Sequence, residues 1–174
     1  MFKKIVFISV VYSVIMLSLT TQAKELADRK GFLIGLGPVV GAETNLIKKF
    51  GGGIGARIGG AFNERFQLYY EDLSLFTSKD GHFIALFNGM ATFQAFLVHN
   101  MYAKAGVGFS VADVQTTGND YREQWGLGVD GGVGYEFRIT KHFVIAPEVI
   151  FNYQRIKGYN YYMPVGYLHF GWYL

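Results

Sequence analysis

Arg57, Glu71, Lys104, Asp130, Glu136, Arg138 and Glu148 share one property. Each falls on the sparsely polar side of a stretch whose alternate residues are apolar. Cations and carboxylates gathered in a water-poor interior could form a paired network that fixes packing, or could line a narrow polar conduit. Pairing is expected, because a charge buried alone is costly. A second set, Asp72, Ser74, Ser78, Asp80 and His82, has the residue types for acyl transfer. That chemistry needs a hydroxyl nucleophile, a base within hydrogen-bond reach of it and an acid to orient the base. Parity separates the set: Asp72 and Ser74 fall on the apolar side, His82 on the other, so no catalytic residue is assigned. The four histidines are scattered without metal-ligand spacing, so neither a metal nor a cofactor is expected. "GGGIGARIGG", residues 51–60, lacks both the strand-then-helix setting and the Gly-Lys-Ser/Thr of a phosphate loop. It reads as a loop entering a glycine-lined strand.

The elements that must hold these residues are strands. Apolar residues recur at a spacing of two rather than three and four. Stretches with approximate limits 31–41, 52–62, 66–76, 82–98, 101–112, 124–139, 143–154 and 161–174 show it, filled with glycine, tyrosine, phenylalanine and valine. In "WGLGVDGGVGYEFRI", 125–139, one face is Trp125, Leu127, Val129, Val133, Tyr135, Phe137 and Ile139. The other mixes glycine with Asp130, Glu136 and Arg138. A water-soluble sandwich would solvate its polar face with lysine and glutamate. Here that face is small and sparsely charged, as a crowded interior requires, and the broad aromatic face suits lipid. Connections 63–65, 99–100 and 140–142 are short; 42–51, 77–81, 113–123 and 155–160 are longer. Short turns at one end and longer loops at the other fit an up-and-down barrel crossing an outer membrane. Closure would satisfy every backbone group inside hydrocarbon. The fold class expected is therefore all-β, an eight-stranded antiparallel up-and-down transmembrane β-barrel. Phe62, Phe66, Phe137, Phe143 and Trp172 would form a girdle toward the periplasm, and Phe76, Tyr121, Trp125, Tyr153, Tyr159 and Tyr161 one toward the outside. Leu33, Val39, Met90, Val144 and Ile150 point inward by parity.

Residues 1–23 are set apart from the fold. Lys3 and Lys4, an apolar run from Ile5 to Leu19 and the small residues Thr21-Gln22-Ala23 have the layout of a secretory signal. Residues 24–30 would then be a short periplasmic segment and 31–174 the barrel. Without the leader, 14 basic residues face 13 acidic ones, and no basic cluster longer than Lys48-Lys49 occurs, so nucleic acid is not an expected partner. The absence of cysteine is compatible with export.

The "GLGVDGGVGYEF" run and the ending "YLHFGWYL" resemble those of small bacterial outer-membrane β-barrel proteins, the group of the OmpA transmembrane domain, OmpX and the opacity-type proteins. The resemblance covers residues 31–174. Leu168, Phe170, Trp172 and Leu174 are similar to the C-terminal signal read by the assembly machinery, with leucine where phenylalanine or tryptophan is usual. It implies an outer-membrane location, a monomer, contact with outer-membrane lipid and lipopolysaccharide, and periplasmic chaperones and barrel assembly machinery as partners in biogenesis. It implies less about activity, because the fold hosts many functions. A non-enzymatic structural or surface-contact role is expected first. A carrier or narrow channel for a small, hydrophobic solute is the alternative. A lipid A-modifying enzyme such as a deacylase comes third; the His-x-Ser-Asn pattern associated with the deacylases is missing.

Overall fold

Side chains that alternate between two solvents need a sheet with two unlike faces, and the chain supplies one from Gly31 to Tyr173. The computed structural model describes residues 29–79, 82–115 and 121–174; the expected leader lies outside them. The strands are β1 (Gly31–Glu43), β2 (Lys49–Ala61), β3 (Phe66–Lys79), β4 (His82–Val98), β5 (Met101–Gln115), β6 (Tyr121–Tyr135), β7 (Phe143–Ile156) and β8 (Tyr159–Tyr173). Past Glu136, β6 continues as the two-residue segment Phe137–Arg138, in unchanged register against β7. Sequential strands pair antiparallel, and β8 pairs back onto β1, so each strand has two neighbours and the sheet closes into an eight-stranded barrel. Among the described residues, no helix is long and apolar enough to cross a membrane.

Parity sorts the faces. Phe32, Ile34, Leu36 and Val40 of β1 are exposed on the outer wall, whereas Leu33 and Val39 between them are buried. Met90, Val144 and Ile150 are buried inside as well. Aromatic pairs mark both ends of the wall. Phe143 and Trp172 lie 5.0 Å apart by ring centroid and Phe66 and Phe93 5.6 Å near the short turns; Phe109 and Trp125 lie 5.7 Å apart nearer the other end. Tyr161 corrects the expected girdle. It belongs to the inward series and packs against the apolar core instead.

The loop end also differs from expectation. The strands extend beyond their expected limits, so the longer connections shrink to 44–48, 80–81, 116–120 and 157–158. Polar residues still pair across strands once outside the apolar band: Glu43 lies opposite Lys49, Lys79 opposite His82, and Arg155 opposite Asn160. Lys157 and Gly158 both have positive φ, 47° and 85°, the geometry of a two-residue hairpin turn matched to strand twist. Loop composition hid that pairing, since backbone hydrogen bonds do not need apolar side chains.

Candidate functional site

Four of the expected interior charges meet across the barrel's middle, each from a different strand. Arg57 on β2 donates through Nη2 to Glu71 Oε1 on β3 and to Glu148 Oε1 on β7, both at 2.6 Å. Lys104 Nζ on β5 lies 2.8 and 2.6 Å from the two Glu71 oxygens and 2.7 Å from Glu148 Oε2. Tyr102 donates its hydroxyl to Glu148 Oε1 at 2.7 Å. These side chains are almost fully shielded from solvent, so each charge depends on the others. Glycines make the room. A Cβ at Gly55 would stand 2.8 Å from the Tyr167 ring, and one at Gly134 would stand 2.5 Å from that of Tyr102. The guanidinium of Arg57 lies against the faces of Tyr69 and Tyr167, 4.7 and 5.3 Å from the ring centroids.

Glu136 and Arg138 belong to a separate cluster at the short-turn mouth. Glu136 Oε1 accepts from Arg29 Nε and Arg138 Nε, each at 3.1 Å, and Oε2 accepts from the Tyr173 hydroxyl at 2.7 Å. Gln67 Nε2 donates to that same hydroxyl oxygen at 2.7 Å. Arg29 also covers the Phe96 ring at 3.8 Å and donates to Asn100 Oδ1 and the Glu64 carbonyl. Arg138 is the more open member, donating to the Lys141 carbonyl in the turn. Asp130 joins neither cluster, and its carboxylate has no hydrogen-bond partner. One network was expected, and the interior holds two clusters and a solitary carboxylate. Parity assigns a side chain to a face but says nothing about its height or direction inside the tube.

Two contributors escaped the sequence reading. Arg29 lies in the segment expected to be only periplasmic, yet its side chain is buried in the barrel mouth. Glu43 lay at an expected loop boundary. Its carboxylate accepts backbone N–H groups from Asn45, Leu46, Ile47 and Lys48, folding loop 44–48 over the barrel end. Ile47 of that loop joins a buried apolar cluster with Val39, Leu75, Leu86, Ile156 and Met163. No sequence signal singles out Glu43, since the side chains that commonly organise a turn are the shorter Asp, Asn, Ser and Thr.

The acyl-transfer set does not assemble. Asp72 and Ser74 lie on the outward series of β3, where the Ser74 hydroxyl donates to Asp72 Oδ1 at 2.9 Å. His82 is exposed at the rim, opposite Lys79, whereas Ser74 pairs with Phe87. That places His82 about 16 Å along the ladder from the hydroxyl. Ser78 is also exposed near the rim, and Asp80 lies outside the described residues. Among the described residues, no group of three or more histidine and acidic side chains is arranged to hold a metal ion.

No protein-family model matches the chain, and no curated protein matches it in sequence. Solved structures match it in fold. The attachment invasion locus protein Ail of Yersinia pestis superimposes with a TM-score of 0.60 at 14% identity, over 83% of this chain and 99% of that one. The same protein has been solved in complex with the heparin analogue sucrose octasulfate, TM-score 0.56 at 13% identity, over 85% of this chain and 99% of that one. Neisserial surface protein A gives 0.59 at 18% identity, over 81% of this chain and 94% of that one. At these identities the likeness is one of fold, and the fold is that of small outer-membrane barrels.

Proposed function

We propose that the chain resides in the bacterial outer membrane and acts there without catalysis, as a structural or surface-contact protein. The observation that carries this reading is the closed middle. Arg57, Glu71, Lys104 and Glu148 reach in from four strands and bond to one another, filling the narrow interior of an eight-stranded barrel. The wall outside them is apolar and aromatic, which suits hydrocarbon, and the closed sheet leaves no strand edge there.

Contact with the surroundings then falls to the rim. Lys48, Lys49, Arg155 and Lys157 are exposed in and beside two adjoining connections, 44–48 and 157–158. Loop 44–48 bonds to the β7–β8 hairpin through Thr44 and Asn45, which donate to the Tyr162 and Asn160 carbonyls. A positive patch at the outer end of such a barrel suits the phosphates of lipopolysaccharide or another polyanionic glycan. One fold neighbour has been solved with a sulfated sugar analogue. The test is retention of the folded barrel on immobilised lipopolysaccharide, with Lys48, Lys49, Arg155 and Lys157 all changed to Gln. Loss of retention in the variant supports the reading, and equal retention removes it. Planar-bilayer recording tests the closed middle, where steady current through the wild-type barrel would overturn it.

A further inference from the structure

Each of the two interior cations already faces two carboxylates, yet a third carboxylate shares their section of the barrel. Arg57 and Lys104 each bond to both Glu71 and Glu148. Asp130, 7% exposed, has no hydrogen bond to either oxygen. Counted together, this middle section holds two cations and three carboxylates. The mouth cluster has the reverse imbalance, but Arg138 there reaches toward the open end. His169, the histidine of the interior, is turned toward Gly35 and Gly171 on the β8–β1 side.

Two neutral side chains on neighbouring strands, Asn152 and Thr92, also lack partners. Asn152 is the register neighbour of Asp130 on β7, fully buried, with both amide atoms unbonded. On the other side its register neighbour is Gly106 of β5, and Thr92 comes from β4 beyond. Asp130 Oδ1 and Thr92 Oγ1 lie 2.5 and 2.7 Å from the point where a side chain at Gly106 would begin. The hydroxyl of Thr92 is fully buried and unpartnered as well. Glycine at 106 thus gives these two oxygens the room to approach one another between β4 and β6.

We propose that Asp130, Thr92 and Asn152 form a binding site for one monovalent hard cation, sodium being the probe of choice. A carboxylate with hydroxyl and amide oxygens is a hard donor set, unsuited to soft metals. A single positive charge balances the section, where a divalent ion would overshoot. Binding would place a counter-charge directly on Asp130, whose carboxylate no side chain bonds, at a depth where an unpaired carboxylate is costly.

The experiment follows unfolding of the full barrel in neutral detergent at mildly alkaline pH through Trp125 and Trp172 fluorescence. Sodium chloride is compared with choline chloride at equal ionic strength. At a sodium concentration ten times the site's Kd, the folded-to-unfolded ratio should be about tenfold higher than in choline. Asp130→Asn should abolish that difference while still folding. Equal behaviour of the wild type in both salts overturns the site, as does a sodium effect of full size in Asp130→Asn. Crystals soaked in thallium(I), a monovalent stand-in, give a reading that needs no variant. An anomalous peak beside the Asp130 carboxylate supports the proposal, and a featureless map there rejects it.

Discussion

The two halves of the barrel's interior solve the same packing problem with different chemistry. Toward the loop end, Val39, Leu73, Leu75, Ile84, Leu86, Ile156, Met163 and Val165 form one apolar cluster, roofed by Ile47. Toward the turn end, the same inward series carries Gln67, Glu71, Gln94, Lys104, Glu136, Glu148 and His169. On β3 the change takes two residues: Glu71 points into the ionic section and Leu73, the next inward position, into the apolar one. Tyr167 bridges the halves, packed in the apolar cluster while its ring faces the Arg57 guanidinium. An apolar interior loses stability in proportion to what is removed, because each side chain contributes contacts and excluded water on its own account. An ionic interior fails by partnership, since removing one member strands the others in a poorly solvated place.

That contrast sets an order of effects. Glu71→Ala should be the most damaging, leaving Arg57 and Lys104 to share Glu148, with a loss of about 3–5 kcal/mol. Urea titration, read by the shift between folded and unfolded bands on an unheated gel, measures it. Leu86→Ala in the apolar half should cost about 2–5 kcal/mol, set by how far the cavity collapses, and should be partly recovered by Leu86→Met. If both Leu86 variants matched Glu71→Ala, the distinction between the halves would be lost. Arg138→Ala, at the mouth where Glu136 keeps Arg29 and Tyr173, should cost less than Glu71→Ala on the same gel, because no charge loses its last partner. The largest change tests the same contrast from the other side. Arg57→Met, Lys104→Met, Glu71→Leu and Glu148→Leu combined should lose less than Glu71→Ala alone, because no member of the four-residue network is left behind. A quadruple variant weaker than Glu71→Ala would mean that the network contributes net stability as a unit.

Much of this was legible in the sequence. A period of two gave the strands, their faces and the burial of Arg57, Glu71, Lys104 and Glu148, because that alternation follows directly from pleating. What stayed hidden was three-dimensional within the tube. Asp130 and Glu148 carry the same inward label, and only the inter-strand register and the direction of each side chain decide that one is paired and the other solitary. Arg29 precedes the periodic region, so no pattern could place it in the mouth. Glu43 sits where apolar alternation ends, although hydrogen-bonded pairing continues to Lys49.

The seam between β8 and β1 closes the barrel. Phe32 and Leu174 exchange backbone hydrogen bonds in both directions, at 3.1 and 2.8 Å, joining segments about as distant along the polypeptide as the barrel allows. Every other strand pairs with a sequence neighbour and can zip from a hairpin, whereas this one ladder must wait for the two extremities to find each other. Until then the molecule is a curled ribbon with two sticky borders, open to capture by any extended stranger. Closure is therefore a race between sealing and mispairing, and the finish line is drawn at Phe32 and Leu174.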